Sequence, residues 1–242
     1  MLNTFKYLAA LGVALLATPA FASDFETVQK TTVPFLINGE KACSAVLIPP
    51  FETTKVVEND DGKTESVSFS TGVRVVTAKH CTEPEGKFEV AIPTYDNDGR
   101  IVSEVTYLLG SIKVFGTRDV AVFKFEGDLP SLNYLPFADV VDTRDLKFGD
   151  ELIHVGYPQS QMEDTGLHQT VTDGRFQEYT YNKGKPTFIR ADVPAWYGSS
   201  GGGLWKIDGD DYKLVGITSK GDINGAAWMF TFYSPVELNT LN

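Results

Sequence analysis

Val75-Val76-Thr77-Ala78-Lys79-His80-Cys81 is a run of β-branched residues that stops at a histidine and a cysteine. Such side chains fit a pleated, half-buried surface, so His80 is predicted to stand just past the end of a strand running from Val73 to Thr77. Segments of the same type surround it: Ala45 to Ile48, Val67 to Ser70, Phe88 to Ile92, Ile101 to Leu108 and Val120 to Phe125. A second group comprises Leu152 to Gly156, Thr170 to Arg175, Phe188 to Ala191, Gly203 to Ile207, Leu214 to Ser219 and Met229 to Tyr233. Short strands at this spacing predict antiparallel barrels or sandwiches. Asp60-Asp61-Gly62, Asn97-Asp98-Gly99 and Asp208-Gly209-Asp210 are tight-turn signals between them. No amphipathic helix of three turns and no internal repeat is visible. Gly127 to Lys147, rich in Pro and Asp, reads as a linker between two halves of similar size.

Two further motifs give His80 its meaning. Arg118-Asp119-Val120-Ala121-Val122 sets an aspartate before an apolar strand, and Gly198-Ser199-Ser200-Gly201-Gly202-Gly203 sets serines in a glycine-rich turn. A serine hydroxyl is a poor nucleophile at neutral pH because its proton must leave as the new bond forms. A positioned imidazole takes that proton, and a buried carboxylate orients the imidazole and stabilises its cation. A lone histidine is more often structural, and an isolated Arg-Asp is more often a strand-edge ion pair. The three motifs together single out His80, Asp119 and Ser200. His154, inside a strand-type segment, and His168, in a polar stretch, read as structural or surface residues.

The first residues have the form of an export signal. Lys6 is the positive start, Tyr7 to Ala17 is apolar, and Ala20-Phe21-Ala22 is a small-x-small cleavage site. The apolar run is far shorter than the roughly 20 residues of a spanning helix, and no later stretch could cross a bilayer. Cleavage after Ala22 leaves 220 of the 242 residues, and loss of Lys6 takes the net charge from −11 to −12. An acidic chain repels phosphate backbones and anionic lipid, which argues against nucleic-acid and membrane-surface roles. The expected location is secreted or periplasmic. Cys43 and Cys81 are the only cysteines, an even number in an exported chain, which predicts one disulfide. The Asp-rich turns lack the ligand run of an EF-hand, and the cysteines and histidines offer no zinc spacing. No metal or cofactor is expected.

These residues resemble the chymotrypsin-like (trypsin-fold) serine proteases over roughly residues 33 to 236, and most closely their bacterial members. Thr77-Ala78-Lys79-His80-Cys81 is similar to the family's Thr-Ala-Ala-His-Cys, and Cys43-Ser44-Ala45-Val46-Leu47-Ile48 to its Cys-Gly-Gly-Ser-Leu-Ile. Asp119-Val120-Ala121-Val122 is similar to Asp-Ile-Ala-Leu, Gly198 to Gly202 to Gly-Asp-Ser-Gly-Gly, and Gly216 to Gly221 to Gly-Ile-Val-Ser-Trp-Gly. The resemblance implies an all-β fold of two six-stranded antiparallel Greek-key barrels with the active site in the cleft between them. It implies a first barrel over 23–135 carrying the histidine and aspartate, and a second over 136–242 carrying the serine. It pairs Cys43 with Cys81, in agreement with the count. It implies His80 as general base, Asp119 as its orienting carboxylate, Ser200 as nucleophile, and the N–H groups of Gly198 and Ser200 as the oxyanion hole.

Two departures stand out. In the animal digestive enzymes an Asp precedes the nucleophile and binds a freshly cut N-terminus; here Ser199 stands in that place, and no Ile-Val-Gly-Gly start appears. A site that needs no such insertion is expected. The stretch from Phe51 to Ser70 is longer than in those enzymes and is expected to form a hairpin. By resemblance, the primary pocket is expected to involve Val193, Pro194, Ala195, Thr218, Ser219, Lys220 and Gly221. Pro194 at its base argues against strict Arg/Lys selectivity and suits an apolar or small side chain, while Lys220 leaves an acidic preference open. The expected activity is that of an exported serine endopeptidase acting on peptides or proteins. The competing reading is a protease-fold binding protein without catalysis. Gly-x-Ser-x-Gly also fits the α/β-hydrolase elbow, but that fold needs a histidine after the serine, and all three histidines precede Ser200. Only Ser234 to Asn242 follow the last expected strand, so no peptide-binding tail domain is expected.

Overall fold

The computed structural model describes residues 25–49, 52–58, 64–70, 72–98, 100–115, 118–126, 138, 140, 145–158, 168–221 and 231–236. The signal-like segment, the Asp60-Asp61-Gly62 turn and most of the linker stretch lie outside the described residues. A short helix α1 (Phe25–Thr31) leads into the first barrel, made of β1 (Thr32–Ile37), β2 (Glu40–Ile48), β5 (Arg74–Thr77), β6 (Phe88–Tyr95), β7 (Ile101–Phe115) and β8 (Val120–Phe125). The strands close in the order β1-β2-β5-β8-β7-β6. β3 (Glu52–Glu58) and β4 (Thr64–Ser70) pair only with each other, as the hairpin expected between Phe51 and Ser70. The second barrel is made of β9 (Glu151–Gly156), β10 (Thr170–Asn182), β11 (Lys185–Ala191), β12 (Gly203–Asp208), β13 (Asp211–Gly221) and β14 (Thr231–Pro235). It closes in the order β10-β11-β14-β13-β12-β9. Every pairing within the barrels is antiparallel. The fold is therefore the all-β pair of closed six-stranded barrels expected from the sequence.

Strand alternation divides the apolar residues between barrel interiors and the seam. Ala45, Leu47 and Val75 join Phe35 and Phe123 inside the first barrel. Their neighbours Val46, Ile48 and Val76 point the other way and meet Ile153, Val155, Trp205 and Ile217 of the second barrel. Val28 of α1 is buried in the same seam. Polar contacts cross it too. The Tyr95 and Tyr157 hydroxyls are 3.0 Å apart, and Gln169 Nε2 donates to the Gln29 carbonyl at 2.8 Å and to the Tyr157 hydroxyl at 3.2 Å. Lys41 of β2 donates to the Pro158 carbonyl at 2.8 Å, and burial lowers its pKa to about 8.

One strand of the first barrel has no counterpart in the sequence reading. β1, Thr-Val-Pro-Phe-Leu-Ile, contains Pro34, and proline argues against a paired strand because it has no N–H to donate. The register removes the conflict. β6 pairs with β1 only from Phe35 onward, so Pro34 lies beyond that ladder and faces Ser44 of β2 alone.

Candidate active site

Strand register brings His80 and Asp119 to one end of the first barrel. Thr77 of β5 pairs with Ala121 of β8, so the chain leaving β5 and the chain entering β8 emerge together. His80 follows Thr77 by three residues, in a single 3-10 turn over Lys79–Thr82, and Asp119 stands just before β8. The two meet twice: His80 Nδ1 is 2.7 Å from Asp119 Oδ2, and the His80 backbone N–H donates to Asp119 Oδ1 at 2.9 Å. The carboxylate thus fixes both the ring and the backbone of its partner. Arg118 turns elsewhere, donating through Nη1 to the Pro235 carbonyl at 3.3 Å, so the strand-edge Arg-Asp pair does not account for Asp119.

Asp119 has a third donor. Ser219 Oγ lies 2.6 Å from Oδ2, reaching across from the second barrel. Burial alone would raise the Asp119 pKa, but the bonds from His80, Ser219 and the His80 backbone outweigh it and hold the carboxyl below its ordinary value. His80 is shifted the opposite way. The hydrogen bond to Asp119 raises its pKa against the opposing effect of burial, helped by the negative charges of Asp119 and Glu83.

The serine-bearing loop consists of two linked turns. Ser199 N–H donates to the Trp196 carbonyl at 2.9 Å, and Gly202 N–H to the Ser199 carbonyl at 2.8 Å. In each, the third residue is a glycine at positive φ, Gly198 at 84° and Gly201 at 82°, while Tyr197 and Ser200 have negative φ. That is the type II pattern, which needs a residue free to adopt φ above zero at this position. The loop is anchored on both sides. Ser44 N–H donates to the Ser200 carbonyl at 2.7 Å, Ser44 Oγ to the Gly198 carbonyl at 3.0 Å, and Gly201 N–H to the Thr218 carbonyl at 2.8 Å. These bonds use the N–H groups of Ser199, Gly201 and Gly202. Among the described residues, the N–H groups of Gly198 and Ser200 take no part in them. Ser200 is partly exposed, whereas Ser199 is 1% exposed and its Oγ faces the Trp196 N–H at 3.4 Å. Exposure therefore distinguishes the two neighbouring serines.

Ser200 and the residue after His80 are linked through the first barrel. Cys43 and Cys81 are joined in a disulfide, tying β2 to the residue after His80, and Cys81 Sγ lies 3.9 Å from the Ser200 carbonyl oxygen. Gly201 packs so closely on Thr77 and the Ser44 carbonyl that a Cβ there would come within 2.2 Å of both.

The residues expected to line the primary pocket divide. Val193 is fully buried in the second barrel's core with Leu204 and Val215, and its carbonyl accepts from the Tyr233 hydroxyl at 3.0 Å. It is core rather than cleft wall, because its alternation follows Ala191 of β11 inward. Ser219 turns its hydroxyl to Asp119, and Thr218 Oγ1 donates to the Gly202 carbonyl at 3.2 Å. Lys220 is exposed, with Nζ 4.6 Å from the Phe188 ring centre and 5.5 Å from that of Phe232, a cation–π arrangement. Pro194 and Gly221 are exposed and Ala195 half-buried. The sequence reading assigned Ser219 only to the pocket and did not single out Ser44; its signal was the place of Ser44 beside a cysteine whose partner follows the histidine.

The model of the trypsin-like peptidase domain family matches residues 56–217. The chain is 29% identical over 170 residues to the Halomonas elongata protein named "Probable periplasmic serine endoprotease DegP-like", covering 68% of this chain and 31% of that one. Among solved structures, two of the HtrA-type protease AlgW with tripeptide, one of them a variant, superpose with a TM-score of 0.57. They are 22% and 23% identical, covering 89% and 90% of this chain. The chain spans 59% and 60% of those chains' lengths, and about a third of the curated relative's.

Proposed function

Because this chain belongs to the trypsin-like peptidase family, we propose that it is a serine endopeptidase working through His80, Asp119 and Ser200. The observation that carries the reading is the two-turn loop. It commits the amides of Ser199, Gly201 and Gly202 and leaves those of Gly198 and Ser200 for a ligand, with the Ser200 carbonyl 3.9 Å from the Sγ of Cys81, the residue after His80. In the proposed reaction Ser200 Oγ attacks the scissile carbonyl carbon while its proton passes to His80 Nε2. The Gly198 and Ser200 amides bind the oxyanion as it forms, so their stabilisation falls mainly on the transition state. Collapse breaks the C–N bond, and His80 returns the proton to the departing amine. Water then attacks the acyl-enzyme with His80 again as base, releasing the acid and restoring Ser200. Asp119 holds the Nδ1 proton and favours the imidazolium.

The location is secreted or periplasmic in this reading, and the substrates are peptides or proteins, in keeping with the relatives' printed names. Once the signal is removed, the site needs no inserted N-terminus. Phe25, near the expected new terminus, packs against Tyr212 with ring centres 6.0 Å apart and the rings tilted by 58°, and both type II turns stand without an acid at Ser199. An apolar or small side chain at the scissile position suits the cleft better than an acidic one, since Lys220 lies over aromatic rings.

The test compares the chain cleaved after Ala22 with its Ser200→Ala variant, using fluorophosphonate labelling and a peptide-library digest. Labelling and cleavage that vanish in the variant, with circular dichroism unchanged, are expected. A folded wild-type protein that neither labels nor cleaves would favour the non-catalytic binding protein.

A further inference from the structure

His154 has no part in the chemistry above, yet it is 1% exposed. It lies on β9 opposite Leu204 of β12, its ring centre 6.0 Å from that of Tyr233. Neither ring nitrogen completes a hydrogen bond among the described residues, and a buried polar side chain in that state calls for a reason. Its surroundings supply one. A Cβ built on Gly156 would come within 2.9 Å of Cε1 and Nε2 of the ring and 3.4 Å of the Ser199 Cβ. A Cβ on Gly202 would stand 2.9 Å from Nε2 and 2.9 Å from the Ser199 carbonyl oxygen. Two glycines therefore hollow out a slot that seats the imidazole directly beneath Ser199, the residue shared by both type II turns.

We propose that His154 is a positioning residue for the nucleophile loop, propping Ser199 from inside the second barrel so that both turns keep the Gly198 and Ser200 amides aimed at the cleft. Ser199 needs such a support. No charged side chain among the described residues bonds to it, and its hydroxyl makes only the 3.4 Å contact with Trp196. Its carbonyl accepts from Gly202 N–H, which leaves it free to accept from a second donor, and a Cβ on Gly202 would stand 2.9 Å from both that oxygen and Nε2. Burial lowers the His154 pKa to about 4, outweighing the opposing effect of the Ser199 backbone. The ring is therefore neutral at physiological pH and has one N–H to offer. The catalytic consequence rests on Ser200 being the nucleophile; the propping does not.

The experiment measures hydrogen–deuterium exchange across residues 193–204 in the full chain, its His154→Leu variant and its His154→Gln variant, alongside the rate of fluorophosphonate acylation. Leucine keeps the bulk and removes the donor; glutamine keeps a donor. In His154→Leu, exchange in this segment should rise by about tenfold or more while β2 and β5 are unchanged. Acylation should slow by a similar factor with KM for a peptide substrate held within about threefold. His154→Gln should recover most of both. Wild-type exchange in His154→Leu overturns the proposal, and so does a uniform rise across both barrels, which would mark simple loss of core. If the leucine variant does not fold, a folded glutamine variant with an unprotected loop overturns it equally. If the wild-type chain is not labelled, the reading of Ser200 as nucleophile fails, while the exchange comparison still decides the prop.

Discussion

Replacing Gly201 with alanine tests the packing that sets the serine loop against the first barrel. The residue has φ +82°, and its Cβ would stand 2.1 Å from the Ser44 carbonyl oxygen, 2.2 Å from Thr77 Oγ1 and 3.0 Å from the Ala78 nitrogen. A left-handed alanine costs about 1–2 kcal/mol, and overpacking a close-fitted site adds about 1–3 kcal/mol. Two of the three obstacles are backbone atoms, so the loop must retreat by about 1 Å to restore ordinary contact. That retreat strains the Ser44-to-Ser200 and Gly201-to-Thr218 hydrogen bonds and shifts the proposed nucleophile Ser200 relative to the first barrel. A displacement of this size costs on the order of 10²-fold in rate. Gly201→Ala should therefore lower the melting temperature by several degrees and slow fluorophosphonate acylation by about two orders of magnitude. Gly209→Ala is the matched control, since Gly209 has φ +66° with nothing within 4 Å of the added Cβ. It should cost about 1–2 kcal/mol through backbone strain alone and leave acylation unchanged. Wild-type labelling and melting in Gly201→Ala would refute the reasoning.

In the proposed reaction acylation needs neutral His80, and Asp119 lifts the His80 pKa, so the acid limb of kcat/KM should have its midpoint above the ordinary value of about 6.5; a midpoint below that value contradicts the His80–Asp119 coupling. Asp119→Asn removes the lift, so the limb should move to lower pH while the rate falls by several orders of magnitude, read from the same profile. Ser219→Ala deletes one of the donors to the Asp119 carboxylate and should lower kcat/KM by about tenfold, with the protein still folded by circular dichroism. His154, with its pKa depressed to about 4, binds its proton more readily in the unfolded chain. Stability should therefore fall as pH drops from about 6.5 toward 4, by roughly 3 kcal/mol from this group alone; urea unfolding of wild type and His154→Gln across that range should differ in slope.

Several features were legible along the chain because they depend on local chemistry. Val75-Val76-Thr77 reads as a strand wherever it occurs, and Asp208-Gly209-Asp210 reads as a tight turn because glycine tolerates the φ of +66° found there. β7 and β10 run further than their sequence patterns predict. β7 continues to Phe115 and β10 to Asn182, through polar and glycine-containing stretches that gain their order from the neighbouring strands. β1 carries a proline, which disfavours a paired strand in isolation, and only the partner register shows where the missing N–H is not needed. At the site, motif and order singled out His80, Asp119 and Ser200. They did not reveal that Ser199 is buried while Ser200 is partly exposed, since two adjacent serines in a glycine-rich turn differ only through the turns that hold them.

By itself, the sequence determined the strand-forming segments, the paired cysteines, and the residue types that could perform acid–base and nucleophilic chemistry at strand ends. The tertiary structure alone decided that Ser219 bonds to Asp119, 100 residues away, that Val193 belongs to the core, and that His154 lies under Ser199. The physical reason is that a side chain's period along its strand says which face it takes, whereas its partner depends on how two closed barrels are registered and pressed together.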